Sequence, residues 1–152
     1  LQIVLHPSIA CFRMTRRLVG AMSLGKRHIH TWFDDMVGYS SDWRRRGPVY
    51  AIPMRTLCGV EMKNLTAVGR CMSADTTLWD VTRAIPTCAL TGEAAATASA
   101  LAVREYEGNI HAVPIKVLQE RLRAQGGLLS PDLIQPPGEE TLGRLIKQPL
   151  CF

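Results

Sequence analysis

The chain has 152 residues, a mass of 16.8 kDa and a formal net charge of +5, with 47% hydrophobic and 20% charged residues. This is the balance of a globular domain, and it excludes a disordered chain. No run of residues approaches the roughly 18 apolar positions of a membrane span, and no basic, apolar leader marks a secretory signal. Because the sequence begins with Leu1 and not with Met, we expect either that an upstream segment was removed or that this is one piece of a larger polypeptide.

Lysines and arginines are concentrated in the first third of the chain. Among them, Arg44, Arg45 and Arg46 are consecutive, and such a cluster can hold a phosphate, an acidic substrate or nucleic acid. The simpler interpretation is a solvated face. Trp43 and other aromatic residues lie nearby, as in nucleic-acid binders, but no recognised nucleic-acid-binding motif accompanies them. The charge pattern therefore leaves these interpretations open.

The chain carries five cysteines, an odd number at wide spacings, without a Cys-x-x-Cys pair. They are Cys11, Cys58, Cys71, Cys88 and Cys151. This pattern argues against zinc or iron–sulfur binding, so no metal site is predicted. Most of these cysteines have apolar or small neighbours, which is typical of buried free thiols, and we therefore expect a reducing, cytoplasmic location.

Three strands are predicted in the first half of the chain. Residues 10–19 form an apolar stretch with several arginines, and residues 49–52 form a short apolar run bounded by prolines. Residues 65–68 are a compact apolar run that ends at Gly69, the pattern of a buried parallel strand that delivers a loop at its carboxyl end. Residues 21–48 are polar and aromatic, with weak periodicity.

A long helix is predicted over residues 86–105, which are rich in alanine and free of interior proline. Pro86 suits the first turn of a helix, and Gly108 follows its end. Small residues recur along it at intervals of three and four, at Ala89, Gly92, Ala96 and Ser99. Such a stripe predicts tight packing on a sheet, or the close approach of a backbone or a flat ligand.

A second helix is predicted over residues 114–125, where apolar residues repeat on one face and glycines supply a stop. Residues 128–152 contain four prolines. They predict a wrapped tail with one short helix near residues 139–146.

The stretch from residue 64 to residue 101 is the most informative part of the sequence. It predicts a strand, a Gly-Arg-Cys loop, and then a turn that leads into the small-residue helix. The first amides of a helix have no acceptors within the helix and carry the positive end of its dipole, so they stabilise an anionic or electron-rich group. The reduced pyrimidine edge of a flavin is one such group.

Several segments carry family-like motifs in collinear order. Residues 64–73 read NLTAVGRCMS, close to N-L-x-x-A-G-R-C-I-S, and residues 83–95 read RAIPTCALTGEAA, close to R-x-x-P-T-C-x-x-x-G-E-A-A. Residues 50–57 (YAIPMRTL) and 13–20 (RMTRRLVG) match two further motifs. Over residues 10–127 the chain resembles a bacterial group of FAD-dependent oxidoreductases in the glutathione-reductase and fumarate-reductase-like superfamily.

The resemblance implies FAD as the cofactor and an α/β fold class. The chain would be the C-terminal portion of an FAD/NAD(P)-binding-type fold, with strands and a flavin-facing helix. It would assign residues 1–48 to part of a substrate or cap domain, residues 49–127 to the C-terminal part of the FAD-binding domain, and residues 128–152 to a tail.

The resemblance also implies two groups of cofactor-binding residues. The group around the ribityl chain is Gly69, Arg70, Cys71 and Ser73. The group at the helix start is Arg83, Pro86, Thr87 and Cys88. Thr87 and Cys88 would meet the pyrimidine edge chiefly through their backbone N–H groups, and Arg83 would orient that turn.

No residue is assigned to catalysis with the same specificity. The candidates are Arg13, Arg16, Arg17, Arg55 and His30. The arginines would bind an anionic substrate or brace the domain. His30 alternates with His28, which indicates either a surface pair or an exposed acid–base histidine.

The sequence also departs from the family pattern. Met14, Val68 and Ala96 replace the usual residues of three motifs, and residues 38–43 lack the family's histidine, so no particular substrate is predicted. The nucleotide-binding βαβ unit that holds the ADP moiety in this family has no counterpart in the chain.

We therefore expect a flavin-binding small subunit or fragment of a heteromeric oxidoreductase. A companion chain with the Rossmann half would complete the FAD site, and the substrate would be a small organic molecule. One alternative is a non-catalytic structural or binding subunit derived from such an enzyme. Another is a basic nucleic-acid-binding module that uses the arginine cluster.

Overall fold

The computed structural model describes residues 16–136 and residue 138. The helices of this part are α1 (Trp79–Thr82), α2 (Ile85–Glu105) and α3 (Ile115–Ala124), and the strands are β1 (Met36–Ser41) and β2 (Val49–Pro53). Short 3-10 turns lie at Lys26–His28, Met54–Thr56, Gly69–Cys71, Ile110–Ala112 and Pro131–Ile134. The described chain is thus a mixed fold in which helices and strands share one hydrophobic core.

β1 and β2 form an antiparallel hairpin, which is the one sheet within the described residues. Gly38 of β1 pairs with the fully buried Ile52 of β2. A Cβ added at Gly38 would stand 2.3 Å from the Leu90 side chain, so glycine is what allows α2 to lie this close to the strand. The prediction of a strand at residues 49–52 is confirmed and extends through Pro53. β1 lies in the segment for which no element was predicted.

The strand predicted at residues 65–68 does not form, and the one predicted at residues 10–19 is only partly covered by the described residues. Residues 65–68 contribute only Thr66, which makes an isolated antiparallel bridge with Cys58. A short apolar run does not by itself specify a strand, and this one has no neighbouring strand of similar length to pair with. The β1–β2 hairpin is antiparallel, and the parallel strand predicted at residues 65–68 is not present in the described chain. Within the predicted strand at residues 10–19, positions 16–19 form no strand and positions 10–15 lie outside the described residues.

α2 confirms the long helix predicted from the alanine-rich segment. The buried side of α2 consists of Thr87, Thr91, Ala94, Ala95, Ala98, Leu101 and Ala102. The small-residue stripe lies on a different side: Ala89 and Ala96 are exposed, and a Cβ added at Gly92 would meet no atom within 4 Å. The stripe therefore does not pack on the sheet of the described chain. In this part of the chain no helix is both long and apolar enough to cross a membrane.

α3 confirms the second predicted helix and covers the edge of β1. Leu118 and Leu122 pack in the core. The side-chain amide of the buried Gln119 donates to the backbone oxygens of Asp34, at 2.8 Å, and Met36, at 2.9 Å. These bonds satisfy carbonyls that would otherwise be unpaired at a strand edge. The short helix predicted near residues 139–146 lies outside the described residues.

Replacing Gln119 with leucine is expected to lower the free energy of unfolding by about 1–3 kcal/mol, because it removes the donor to the buried Met36 oxygen and to the partly buried Asp34 oxygen. Gln125→Leu is the matched control. Gln125 is exposed. Among the described residues, its side chain accepts one hydrogen bond, from the Thr97 hydroxyl at 3.3 Å. Urea denaturation of both variants measures the difference. Equal losses in the two variants would contradict a role for Gln119 at the strand edge.

Candidate functional site

The Gly69–Cys71 turn packs directly against the first turns of α2. Gly69 has a φ of +58°, and its N–H donates to the hydroxyl of the buried Thr91 at 3.0 Å. A Cβ added at Gly69 would stand 3.0 Å from the Cys88 sulfur. Glycine is therefore required here both by the backbone conformation and by the close approach. The structure brings the Gly-Arg-Cys segment and the start of the helix together, as the motif order suggests.

The start of α2 presents free amide groups. The N-cap residue Ala84 offers no side-chain acceptor, and the first amide that finds a backbone partner is that of Cys88, which donates to Ala84 O at 2.9 Å. Within the described residues, the N–H groups of Ile85 and Thr87 have no acceptor, and Pro86 has no N–H. Ile85 is 84% exposed. Among the described residues, the positive end of this 21-residue helix thus has no side-chain cap; it reaches the surface at Ile85, whereas Thr87 is buried.

Two hydroxyls among the predicted cofactor contacts are used inside the protein. The Thr87 and Ser40 hydroxyls lie 2.7 Å apart in a buried pair. The Ser73 hydroxyl accepts the Gly20 N–H at 3.2 Å. These side chains fix the helix start and the segment after the Gly-Arg-Cys turn. Contact of Thr87 with a ligand would therefore pass through its backbone, as the sequence predicts.

The outer face of the site is formed by Arg70, Cys71 and Pro86, all of which are exposed. No described residue pairs with the Arg70 guanidinium. The Cys71 carbonyl accepts the Leu18 N–H at 2.8 Å, which ties the turn to the preceding chain. The guanidinium of Arg70 is therefore available to a ligand or to another polypeptide segment.

Arg83 lies on the segment just before α2, where its contacts hold the helix start. Its Nε donates to Asp80 at 2.7 Å, and its guanidinium lies 5.4 Å from the centre of the Trp79 ring. Its carbonyl oxygen lies 3.5 Å from the Cys88 sulfur, which donates to it. These contacts place Arg83 at the start of α2, and its role towards a cofactor stays a prediction.

The candidate catalytic residues have structural partners. The Arg55 guanidinium lies 3.2 Å from an Asp35 oxygen and over the Phe33 ring, so it braces two segments. A ring nitrogen of His30 lies 2.8 Å from the backbone oxygen of Ile134. No described contact joins either residue to the Gly69–Cys71 turn.

The remaining candidate arginines lie near the start of the described chain. Arg17 is exposed and donates to the backbone oxygen of Ala74, which follows the Gly-Arg-Cys segment. Arg16 is exposed, and Arg13 lies outside the described residues. Of the candidates, Arg17 is therefore the one with a direct contact beside the site.

The arginine cluster is largely balanced by carboxylates that sequence reasoning did not single out. Asp42 is 4% exposed, and its carboxylate accepts Arg44 Nε at 2.8 Å and lies 3.4 Å from Arg45 Nε. The hydrogen bonds from Arg44 hold the Asp42 pKa below its ordinary value, against the opposing effect of burial. The signal that could have revealed this was the position of an acidic residue two and three places before the arginines.

A groove on the side of α2 also escaped the sequence analysis. It encloses about 620 Å³ and is lined by Tyr39, Val49, Pro86, Ala89, Leu90 and Glu93, together with the segment after α3. It could not be predicted because its walls come from three separate parts of the chain. The described residues contain no group of three or more histidine, cysteine or acidic side chains arranged to hold a metal ion.

The three cysteines in the described chain differ in access. Burial raises the pKa of the Cys58 thiol to about 11, whereas Cys71 is exposed and Cys88 is half-buried. Since the thiolate is the reactive form, we expect iodoacetamide at pH 8 to label Cys71 first and Cys58 last in the native chain. Peptide mass spectrometry over time gives the order. Early labelling of Cys58 would contradict its burial. The control is the chain unfolded in urea, in which all three cysteines should react at similar rates.

The site combines an open helix start with a glycine turn packed against it, on a mixed helix-and-strand scaffold. The sequence model of the FAD dependent oxidoreductase family matches residues 6–122. The chain therefore belongs to the FAD dependent oxidoreductase family, and its function is related to that of flavoenzymes. No curated protein and no solved structure matches the chain.

Proposed function

We propose that this chain supplies the flavin-facing part of an FAD-dependent oxidoreductase, completed by a companion polypeptide segment that holds the rest of the cofactor. One observation carries the proposal: the Gly69–Cys71 turn lies against the uncapped start of α2. The N–H of Gly69 on Thr91 and the close approach of Gly69 to Cys88 fix these two parts as one unit.

The residues present fit one end of FAD. The amides of Ile85 and Thr87 are unpaired among the described residues, and the dipole of α2 adds positive potential at the same place. Arg70 supplies an exposed guanidinium without a described partner, a suitable group for a phosphate. The buried pair of Thr87 and Ser40 keeps the helix start in place without using its amides.

FAD, when bound, supplies the hydride or electron transfer. The part of this chain is electrostatic and positional. Amides fixed at the start of α2 favour negative charge on a group placed against them and need no reorganisation to do so. Arg70 and the Gly69–Cys71 turn would hold the neighbouring part of the same molecule. The Cys88 N–H already donates to the Ala84 oxygen at 2.9 Å, so Cys88 would act through its position against Gly69 and not through that N–H.

The exposed side of α2 supports a companion segment. It presents Ile85, Ala89, Ala96, Ala100 and Val103, which are all exposed and apolar, with the exposed Glu93 as a charged residue among them. A solvent-facing helix side usually carries charged residues, whereas an apolar side usually packs on another element. We propose that the companion with the Rossmann unit packs on this side. The domain limits at residues 48 and 127 and the cytoplasmic location stay predictions.

A specific observation favours the second candidate, a non-catalytic subunit derived from such an enzyme. The Arg55 guanidinium pairs with Asp35 and lies over Phe33, and the His30 ring lies against Ile134, so both side chains already have structural contacts. The nucleic-acid alternative has less support, because Arg44 and Arg45 pair with Asp42.

The deciding experiment is native mass spectrometry of the assembly isolated with this chain, together with its visible spectrum. We expect a second polypeptide, the added mass of FAD and flavin absorption. A colourless assembly without a dinucleotide mass would contradict the proposal. An assembly that binds FAD but turns over no substrate, and whose FAD content does not change in Arg55→Ala, would instead identify the non-catalytic subunit.

A further inference from the structure

Asp80, in α1, joins the β1–β2 loop to the segment before α2. One carboxylate oxygen of Asp80 accepts Arg83 Nε at 2.7 Å, and the other lies 3.7 Å from an Arg44 nitrogen. The backbone oxygen of Asp80 accepts the Trp43 indole N–H at 3.0 Å. Arg44 is itself held by the buried Asp42 carboxylate. Asp80 is therefore fixed from the loop side while it holds Arg83.

Trp79 extends these contacts to the Gly-Arg-Cys turn. Its ring is buried under the Arg83 guanidinium, at 5.4 Å between the guanidinium carbon and the ring centre. Its indole N–H donates to the backbone oxygen of Arg70 at 3.1 Å. The backbone oxygen of Arg83 also accepts a hydrogen bond from the Cys88 thiol. Arg83 is thus linked to the Gly69–Cys71 turn through the Trp79 ring, and to Cys88 through its own backbone oxygen.

We propose that Asp80 is a positioning residue: by holding Arg83 over Trp79, it fixes the Gly69–Cys71 turn relative to the first turn of α2. Asp80 does not itself touch the proposed cofactor position. The consequence for flavin binding rests on the proposed function, whereas the positioning can be measured without any cofactor.

The test is hydrogen–deuterium exchange of the full chain with Asp80→Asn, compared with the wild type. We expect exchange about three- to five-fold faster in a peptide covering residues 69–73 and at the hydrogen-bonded amides of Ala84 and Cys88, because a half-exposed ion pair contributes modestly. Exchange in α3 should not change. Asp80→Glu keeps a carboxylate at a position that is partly exposed and has room for the longer side chain, so its exchange rates should equal those of the wild type. Glu120→Gln, at an exposed position of α3, is the control for loss of one negative charge.

A second variant keeps the test informative if Asp80→Asn does not fold. Arg83→Lys retains the charge but loses the planar group that lies on the Trp79 ring, so it should accelerate exchange in the same two segments. Unchanged exchange there, equal acceleration throughout the chain, or no rescue by Asp80→Glu would overturn the proposal.

The flavin-bound assembly gives a separate reading. If the assembly holds FAD, Asp80→Asn should shift the visible bands of the flavin, and Asp80→Glu should return them; bands that stay unmoved would count against the proposal. If the wild-type assembly holds no FAD, the proposed function fails, while the exchange experiment still decides whether Asp80 positions the turn.

Discussion

Replacing Gly69 with alanine is expected to lower the free energy of unfolding by about 2–5 kcal/mol. A φ of +58° costs an L-residue about 1–2 kcal/mol. The new Cβ would stand 3.0 Å from the Cys88 sulfur and 3.3 Å from the Cys88 Cβ, and overpacking of this kind adds about 1–3 kcal/mol. Chemical denaturation of the variant and the wild type measures the sum.

Gly108 provides the matched control for the backbone part. Its φ is +78°, and a Cβ added there would meet no atom within 4 Å, so Gly108→Ala should cost only about 1–2 kcal/mol. Adding Cys88→Ala to Gly69→Ala removes the sulfur and should recover part of the loss. Equal destabilisation by Gly69→Ala and Gly108→Ala would show that the contact with Cys88 contributes nothing.

The same pair of variants separates stability from the site. Gly69→Ala pushes the turn away from the start of α2, so the assembly should retain less FAD than the wild type. Gly108→Ala lies beyond the other end of the helix and should leave FAD retention unchanged. The flavin-to-protein absorbance ratio after gel filtration reports this directly.

Both longer helices could be predicted from the sequence because local composition specifies them. In α2, alanine dominates, and Pro86 occupies a position where its missing N–H has no cost. In α3, the spacing of Leu118 and Leu122 gives one buried face. Strand β2 follows Pro48 and ends at Pro53, so the local sequence also indicates its limits.

β1 could not be predicted in the same way, because its strand conformation depends on its neighbours. It contains a glycine and two serines, which have little strand preference. Gly38 allows the close approach of the Leu90 side chain. Because Leu90 belongs to α2, which is distant in sequence, this requirement for glycine is not evident from the residues around Gly38. The opposite error at residues 65–68 has the same origin, since apolar residues without a pairing strand do not make a strand.

The candidate site was predicted by motif order and not by local preference. The Gly-Arg-Cys segment and the Cys88 turn are far apart in sequence, and the resemblance alone placed them together. The structure brings Gly69 against Cys88, while contact of either with FAD stays a prediction. The acidic partners Asp42 and Asp80 lie two and three places before Arg44 and Arg83, so local spacing could have revealed them. The 3.7 Å contact between Asp80 and Arg44 could not be predicted in this way, because it depends on the tertiary fold.

Asp42→Asn should also have a large effect, and one that depends on pH. The Asp42 carboxylate is almost fully buried and accepts the Arg44 backbone N–H, Nε and terminal nitrogen at 2.8–3.1 Å. Hydrogen bonds to a charged group contribute about 1.5–3 kcal/mol. Because Arg44 is partly exposed and can be rehydrated, we expect a loss of about 2 kcal/mol at pH 7.

The sign of the pH dependence follows from the lowered pKa of Asp42. Its carboxylate is more readily ionised in the folded than in the unfolded chain, so its contribution is complete above the ordinary carboxyl pKa and is lost as pH falls through the lowered value. The stability difference between wild type and Asp42→Asn should therefore shrink towards zero in strong acid. Asp34→Asn, at an exposed position, should change stability by less than about 0.5 kcal/mol at any pH. If the difference in the free energy of unfolding stays constant from pH 7 into acid, the charge of Asp42 does not contribute to the stability of the loop.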